Sequence, residues 1–296
     1  MRDSFAEHHP FINLIYFISV IGFSLALTHP LAQAISLTCA VIYTVSVSGK
    51  KSILFLLKYC LPTVILTAII NPVFNHQGVT TLLYFPNGNP LTLESILYGL
   101  SAGLTVITTL MWFSSFNRVM TTDKFVFLFG RVIPALSLVL SMSSRFVPKF
   151  RSQMESVTEA QRSIGRDVSN GSLIQRIKTA VLIFSIMITW SLENAVETAD
   201  SMKSRGYGLK GRSAFAIYRF EKRDKYVLVL ILLFAVLLIA GIVLSAFRFS
   251  YFPHISYASF DITTIPFYFV YSALCITPVI INCKEERKWK ASVSEI

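Results

Sequence analysis

Six stretches of the chain are apolar over nearly their whole length: roughly 11–28, 31–48, 52–73, 94–116, 226–247 and 264–282. A helix needs about 20 apolar residues to cross a hydrocarbon core about 30 Å thick, so each stretch predicts a transmembrane helix. The third carries Lys58 near its start, where a long aliphatic stem can bring the ammonium to the interface. The fold class that follows is an all-α, polytopic membrane protein.

The polar breaks between these stretches set an orientation. Lys50 and Lys51 follow the second span, whereas the connection 74–93 holds no Lys or Arg. Positive residues stay on the cytoplasmic side, so the first break is expected inside and the second outside. Region 117–225 carries 18 of the 27 Lys and Arg residues against nine Asp and Glu, and the tail adds Lys284, Arg287, Lys288 and Lys290. Both are expected in the cytoplasm. The loop around 248–263 has only Arg248, as an external loop should. Six spans then place both termini inside, in a cell membrane.

Region 121–212 is too long for a simple loop. It opens on an apolar run from Phe125 to Leu140, broken by Arg131 and Pro134 and followed by Arg145, Lys149 and Arg151. A polar helix continues through Glu155, Glu159 and Arg162 to about Arg166. Asp167, Ser169, Asn170, Gly171 and Ser172 then supply turn and N-cap chemistry. A second long helix starts near Leu173 and passes an apolar stretch from Val181 to Trp190. In its charged end Glu193, Glu197 and Asp200 share one face, and Gly206 and Gly208 stop it. Two readings suit 124–146 and 177–192: helices half-immersed at the cytoplasmic face, favoured by the interspersed charges, or an additional hairpin of spans. The chain divides accordingly into membrane helices 1–4 over 1–120, a cytoplasmic region of long helices over 121–212, and helices 5–6 with a basic tail over 213–296.

Composition narrows the function. Of 296 residues, 53% are hydrophobic and 15% charged, with a mean hydropathy of +0.59; that is too apolar for an ordinary soluble domain. The net charge of +11 is accounted for by topology, which leaves nucleic acid unneeded as a partner. Cys39, Cys60, Cys275 and Cys283 are far apart and form no C-x-x-C, His8 and His9 are adjacent, and H-E-x-x-H is absent, so no metal site is expected. Met1 to Pro10 mixes Arg2 with Asp3 and Glu7 and the first apolar run lacks a small-residue cleavage site, so the first helix is expected to be retained.

Two catalytic patterns fail on inspection. Gly49-Lys50-Lys51-Ser52 suggests a phosphate-binding loop, but Thr44 replaces its first glycine and Lys51 stands where Ser or Thr belongs. No cofactor is expected in this chain, and ATP would be bound by partner subunits. Gly99-Leu100-Ser101-Ala102-Gly103 matches G-x-S-x-G, yet it lies within an apolar span without a histidine. Gly99 and Gly103 make a G-x-x-x-G instead, which lets helices approach closely in lipid. A third constellation, Ser204-Arg205-Gly206-Tyr207-Gly208, puts an arginine in the last turn of the second long helix. There the helix dipole favours it, and its planar fork suits a partner's carboxylate.

The run Ala199 to Gly208 resembles the A-M-x-x-R-G-Y signature of the transmembrane component (EcfT) of energy-coupling factor transporters, whose cobalt-transport relative is CbiQ, with Ser201 in place of the alanine. His29-Pro30, Asn71 to Gly78, Asn87 to Ile96, Phe127 to Gly130 and Ser144 to Pro148 are similar as well, so the likeness covers nearly the whole chain. The resemblance implies that region 121–212 is a cytoplasmic coupling-helix region, with two long helices that end in short x-R-x motifs docked in two ABC-type ATPase subunits. It also implies a separate small substrate-binding membrane protein, the S-component, which takes up a vitamin or metal. Ser204, Arg205 and Gly206 would be the second docking motif. The first, in the pattern A-Q-x-x-R-G, falls on Ala160-Gln161-Arg162-Ser163-Ile164-Gly165-Arg166, where Ile164 replaces the arginine, so Arg162 or Arg166, with Ser163 and Gly165, would serve. The expectation is a non-catalytic coupling subunit. A non-transport scaffold or receptor, or an intramembrane enzyme built around Ser101, are the alternatives; the enzyme lacks a base and oxyanion donors.

Overall fold

The computed structural model describes residues 3–84, 88–130, 133–209, 218–257 and 263–294. Arg2, Asn87 and Arg131, singled out above, lie outside them. The chain divides into two compact units: Met1–Lys124 with Tyr218–Ile296, and Phe125–Ile217.

In the first unit, α1 (Pro10–Ala26) and α2 (Pro30–Ser48) begin alike. A histidine stands at each N-cap and proline follows as the first helical residue, with the His9 and His29 Nδ1 atoms accepting from the N–H groups of Phe11 and Leu31 at 3.3 and 3.2 Å. Proline suits that position because its missing N–H would be unpaired there anyway. Burial pushes both imidazole pKa values down, which keeps the rings neutral and able to accept. After Gly49, α3 (Lys50–Phe55) runs through a π-helical turn at Leu56–Cys60 into α4 (Leu61–Phe74); Lys58 lies in that turn. A hairpin of β1 (Thr81–Tyr84) and β2 (Pro90–Thr92) leads into α5 (Leu93–Val119), capped by the Thr92 hydroxyl. After α9 (Lys222–Val243), the short pair β3 (Phe249–Ser250) and β4 (Ser256–Tyr257) precedes α10 (Ile265–Ser294).

Helix α5 is the axis of this unit and packs on α4, α2 and α1; α10 packs on α2 and α9. Between helices in lipid, close packing and hydrogen bonds must replace the hydrophobic drive. An edge-to-face cluster of Phe5, Tyr16, Phe17 and Trp112 fills the centre. Beside it Ser24 and Ser36 share a hydrogen bond of 2.7 Å, and the Trp112 indole donates to Ser36 at 3.1 Å. Farther along, Thr44 and Ser115 are 2.8 Å apart.

The second unit is a helical pair. Pro134 opens α7 (Pro134–Ser163), after α6 (Thr122–Gly130) has ended, and α8 (Leu173–Ser204) follows. Among the described residues six helices are long and apolar enough to cross a membrane: α2, Ser52–Phe74, α5, α8, α9 and Ile265–Val293. The number matches the expectation but the membership differs. Helix α1 is held to 17 residues by the two His-Pro starts, and α8, read from sequence as a coupling helix, reaches spanning length and apolarity.

Gly99 and Gly103 face α4. A Cβ on Gly99 would stand 2.9 Å from the Thr67 carbonyl oxygen, and one on Gly103 would stand 3.0 Å from the Val64 Cα. Gly103→Leu is therefore expected to cost about 1–3 kcal/mol by forcing α4 and α5 apart. Gly22→Leu, where nothing lies within 4 Å, should be neutral. Thermal unfolding in detergent checks the contrast.

Candidate functional site

The two long helices of the second unit must each satisfy their last carbonyl groups where they stop. At the end of α7, Gly165 N donates to the Arg162 carbonyl at 3.0 Å and Arg166 N to the Gln161 carbonyl at 2.9 Å. At the end of α8, Gly206 N donates to Lys203 at 2.9 Å and Tyr207 N to Met202 at 3.0 Å. Both are Schellman motifs, closed by a glycine in the left-handed region, with φ of 80° at Gly165 and 73° at Gly206. The two ends are thus built to one plan, which puts Ile164 where the other end has Arg205. The caps agree in conformation too, with φ and ψ of −96° and 18° at Ile164 and −82° and 8° at Arg205. Ser163 and Ser204 also match; each hydroxyl turns back to a helix carbonyl, of Glu159 and of Ser201, at 2.9 Å.

The side chains around the shared backbone differ. Arg205 is exposed at its C-cap, and so is Ile164, at 64%. Arg162 lies two residues before the α7 C-cap and its Nε is 3.5 Å from Asp167 Oδ2; Arg166, two residues after the cap, is exposed. Asp167 organises the connection to α8, accepting from the Ser169 N–H at 2.8 Å and the Asn170 amide at 3.1 Å. The Ser169 N–H, assisted by the Arg162 and Arg176 charges, holds this carboxyl below the usual carboxylate range. Arg176 Nε donates to the Val168 carbonyl at 2.7 Å, and Ser172 with Gln175 forms a reciprocal capping box at the start of α8.

The helices meet well away from these ends. Phe150 packs edge-on against Trp190 with ring centroids 5.2 Å apart, while Lys149 Nζ lies 5.4 Å from the Trp190 ring centroid and donates to the Asn194 side-chain oxygen. A groove of about 590 Å³ adjoins this contact, lined among others by Met142, Phe146, Asn194, Ala199 and Met202. At 1.5 Å per residue each C-cap stands about 20 Å along its helix from the crossing. Glu193, Glu197 and Asp200 are exposed on α8.

Sequence reasoning placed the start of α8 and its final glycines. It assigned Asp167 to the turn, where it stands, but missed its link to Arg162 and Gln175 as the second half of the capping box; the S-x-x-Q spacing is the available signal for the latter. The G-x-S-x-G pattern has a structural explanation: Ser101 Oγ donates to Gln33 Oε1 at 3.0 Å, and the Gln33 amide donates to Thr105, joining α2 to α5.

A chain with several long, apolar helices and a tandem of long amphipathic helices with basic residues at or beside their exposed ends belongs to the multi-spanning α-helical membrane proteins. The profile of the family described as cobalt transport protein CbiQ matches residues 6–215, and the chain belongs to that family. The match takes in both helix ends. The energy-coupling factor transporter transmembrane protein EcfT 1 of Listeria monocytogenes is 27% identical over 195 residues, 61% of this chain and 68% of its own length. The EcfT of Staphylococcus aureus is 25% identical over 204 residues, 64% and 75% of the two chains. That of Lactobacillus helveticus is 36% identical over a shorter stretch of 93 residues, 31% and 34% of the two chains. The chain is a membrane transport component of this kind rather than an enzyme.

Because Gly206 must hold a positive φ, Gly206→Ala should cost the cap about 1–2 kcal/mol. Faster amide exchange at Tyr207, whose N–H closes the motif, is the expected readout, with exchange in the middle of α8 unchanged.

Proposed function

We propose that the chain is the membrane-embedded coupling subunit of an energy-coupling importer, which carries the ATP-driven motion of two ABC-type ATPase subunits to a substrate-binding S-component. The observation that carries this reading is the pair of matched helix ends: two long helices stop in the same hydrogen-bonded cap with basic side chains at or beside it. One rigid end for each of two ATPases is the simplest use of such a pair. ATP stays with the ATPases, and this chain holds no cofactor or metal of its own. Ser204, Arg205 and Gly206 form one docking end; Arg162, Ser163, Gly165 and Arg166 form the other. Large exposed apolar side chains on α7 and α8, among them Val147, Ile177 and Phe184, suit a cover of lipid and of the S-component. Specificity for a vitamin or metal rests with that partner.

The chain sits in the cell membrane with both termini and region 121–212 in the cytoplasm, on the asymmetry of Lys and Arg. Single cysteines placed at Val79 and Asn170, in a background without other cysteines, should label from opposite faces of sealed vesicles. Labelling of both from one face would sink this topology.

Arg205 is the residue on which docking depends most. A bidentate contact with a carboxylate in a partly desolvated groove loses about 2–5 kcal/mol on truncation, much of it from the partner charge left unpaired. Arg205→Glu should insert normally yet lose the ATPases on purification, with Arg205→Ala intermediate and Arg205→Lys only partly restored, since an ammonium cannot reproduce the planar fork. At the other end single Arg162→Ala and Arg166→Ala changes should cost less ATPase retention than the pair together. Full ATPase recovery with Arg205→Glu would overturn the docking role.

A further inference from the structure

The second unit joins the first at two points in the chain, Lys124 and Tyr218, and both junctions are held by residues 3–9. Lys124 Nζ donates to the Ala6 carbonyl and, at 2.8 Å, to the Val119 carbonyl. Asn13, with its amide oriented to satisfy both ends, accepts from Lys124 and donates to the Phe5 carbonyl. On the returning strand of chain, His8 Nδ1 is 2.6 Å from Asp224 Oδ1; the side chains are 6% and 3% exposed. The other Asp224 oxygen accepts from the Glu221 N–H at 3.1 Å, and His9 packs against the Phe220 ring at 5.1 Å.

The segment is itself anchored in the bundle. Phe5 is fully buried and lies edge-on to Tyr16, Phe17 and Tyr43. Its N–H donates to Asn282 Oδ1 at 2.8 Å, the Asn282 amide donates to Asp3 at 2.9 Å, and the Tyr43 hydroxyl donates to the other Asp3 oxygen at 3.2 Å. Residues 3–9 therefore tie α1, α2, α9 and α10 to the outgoing and the returning junction at once. A buried polar contact of this kind is weak ground for a stability role, because desolvation offsets its attraction, and its better attested use is to fix one arrangement among several.

We propose that residues 3–9 are a clamp that fixes both junctions of the coupling unit to the membrane bundle and serves as the fulcrum against which the coupling unit moves. The lever role rests on the coupling function proposed above; the clamp itself does not. A helix pair driven at its C-terminal ends transmits motion only if its attachments to the bundle resist, and two unheld junctions would absorb the movement locally. His8 and Lys124 act here as positioning residues, each on a different junction.

The test uses the whole complex, purified with its ATPases in lipid nanodiscs, and compares His8→Ala, Lys124→Met and His8→Asn. Asparagine can still donate to Asp224 from about the place of the imidazole Nδ1. Amide exchange over 122–124 and 219–224 should rise roughly tenfold in His8→Ala and Lys124→Met and stay near wild type in His8→Asn, because local opening follows the contacts that oppose it. A nitroxide pair at Gly88 and Asn170 should shift in distance on ATP addition in the wild type and in His8→Asn. The shift should vanish in the other two variants while ATP hydrolysis continues. Unchanged exchange in both His8→Ala and Lys124→Met overturns the clamp, however the coupling question stands. Raised exchange with an undiminished ATP-dependent shift overturns the fulcrum. Failure of the coupling reading shows separately, as ATPases retained by Arg205→Glu.

Discussion

Hydrocarbon accepts neither an open peptide group nor an unpaired charge, and the arrangement of this molecule follows from that intolerance. Its buried charged groups stand at helix ends with partners in place. Glu94, in the first turn of α5, accepts from the Thr80 hydroxyl at 2.8 Å and from the Thr80 N–H. Asp224, in the first turn of α9, receives the His8 imidazole, and Lys124 is spent on two carbonyl groups. Between the ends, polar contact is left to neutral groups small enough to satisfy one another, as Ser24 with Ser36 and Thr44 with Ser115. Stripping ionic chemistry from the middle of the bundle leaves packing there and confines recognition to the ends.

The same need for satisfied peptide groups shapes the second unit, where two long helices stop. A helix of 32 residues, such as α8, is about 48 Å long, and its last carbonyl groups need donors. The glycine caps supply these from the backbone, through Gly165 and Arg166 on α7 and through Gly206 and Tyr207 on α8. The C-cap side chain takes no part in these bonds. The backbone position from which the C-cap side chain starts is thereby fixed at the end of each long helix.

What the sequence disclosed and what it concealed divide along the range of the interactions. Ser172, Gln175, Gly165 and Gly206 act within six residues of the backbone they cap, so the ends of α7 and α8 can be read from composition and spacing. The apolar runs give most of the bundle for the same reason. Apolarity alone does not distinguish a helix that spans from one that lies along the membrane, and α8 shows this: its apolar stretch from Val181 to Trp190 is bounded by Lys178 before it and by Glu193 and Glu197 after it. Nor could spacing reveal that residues 3–9 hold both junctions, since His8 meets Asp224 across 216 positions and Phe5 meets Asn282 across 277. Asp167 reads from sequence as turn chemistry, but its link to Arg162 depends on how the loop closes.

Ile164 shows how the architecture of a docking end separates from its chemistry. By sequence its place marks a departure from an arginine pattern, and the simplest inference would be a lost helix end. The hydrogen bonds show otherwise: the cap closes through Gly165 with the same geometry that Gly206 gives the other helix. Since the C-cap side chain takes no part in either bond, isoleucine and arginine are interchangeable for the fold and opposite in what they offer a neighbour. Charge at the α7 end is displaced to Arg162 and Arg166, and Asp167 lies against the first of them. Arg166 follows the cap glycine, outside the helix, so its guanidinium starts from a backbone position that the Gly165 turn has swung away from the helix axis. One helix end thus presents an apolar side chain at its C-cap with positive charge beside it, and the other presents a cation at its C-cap.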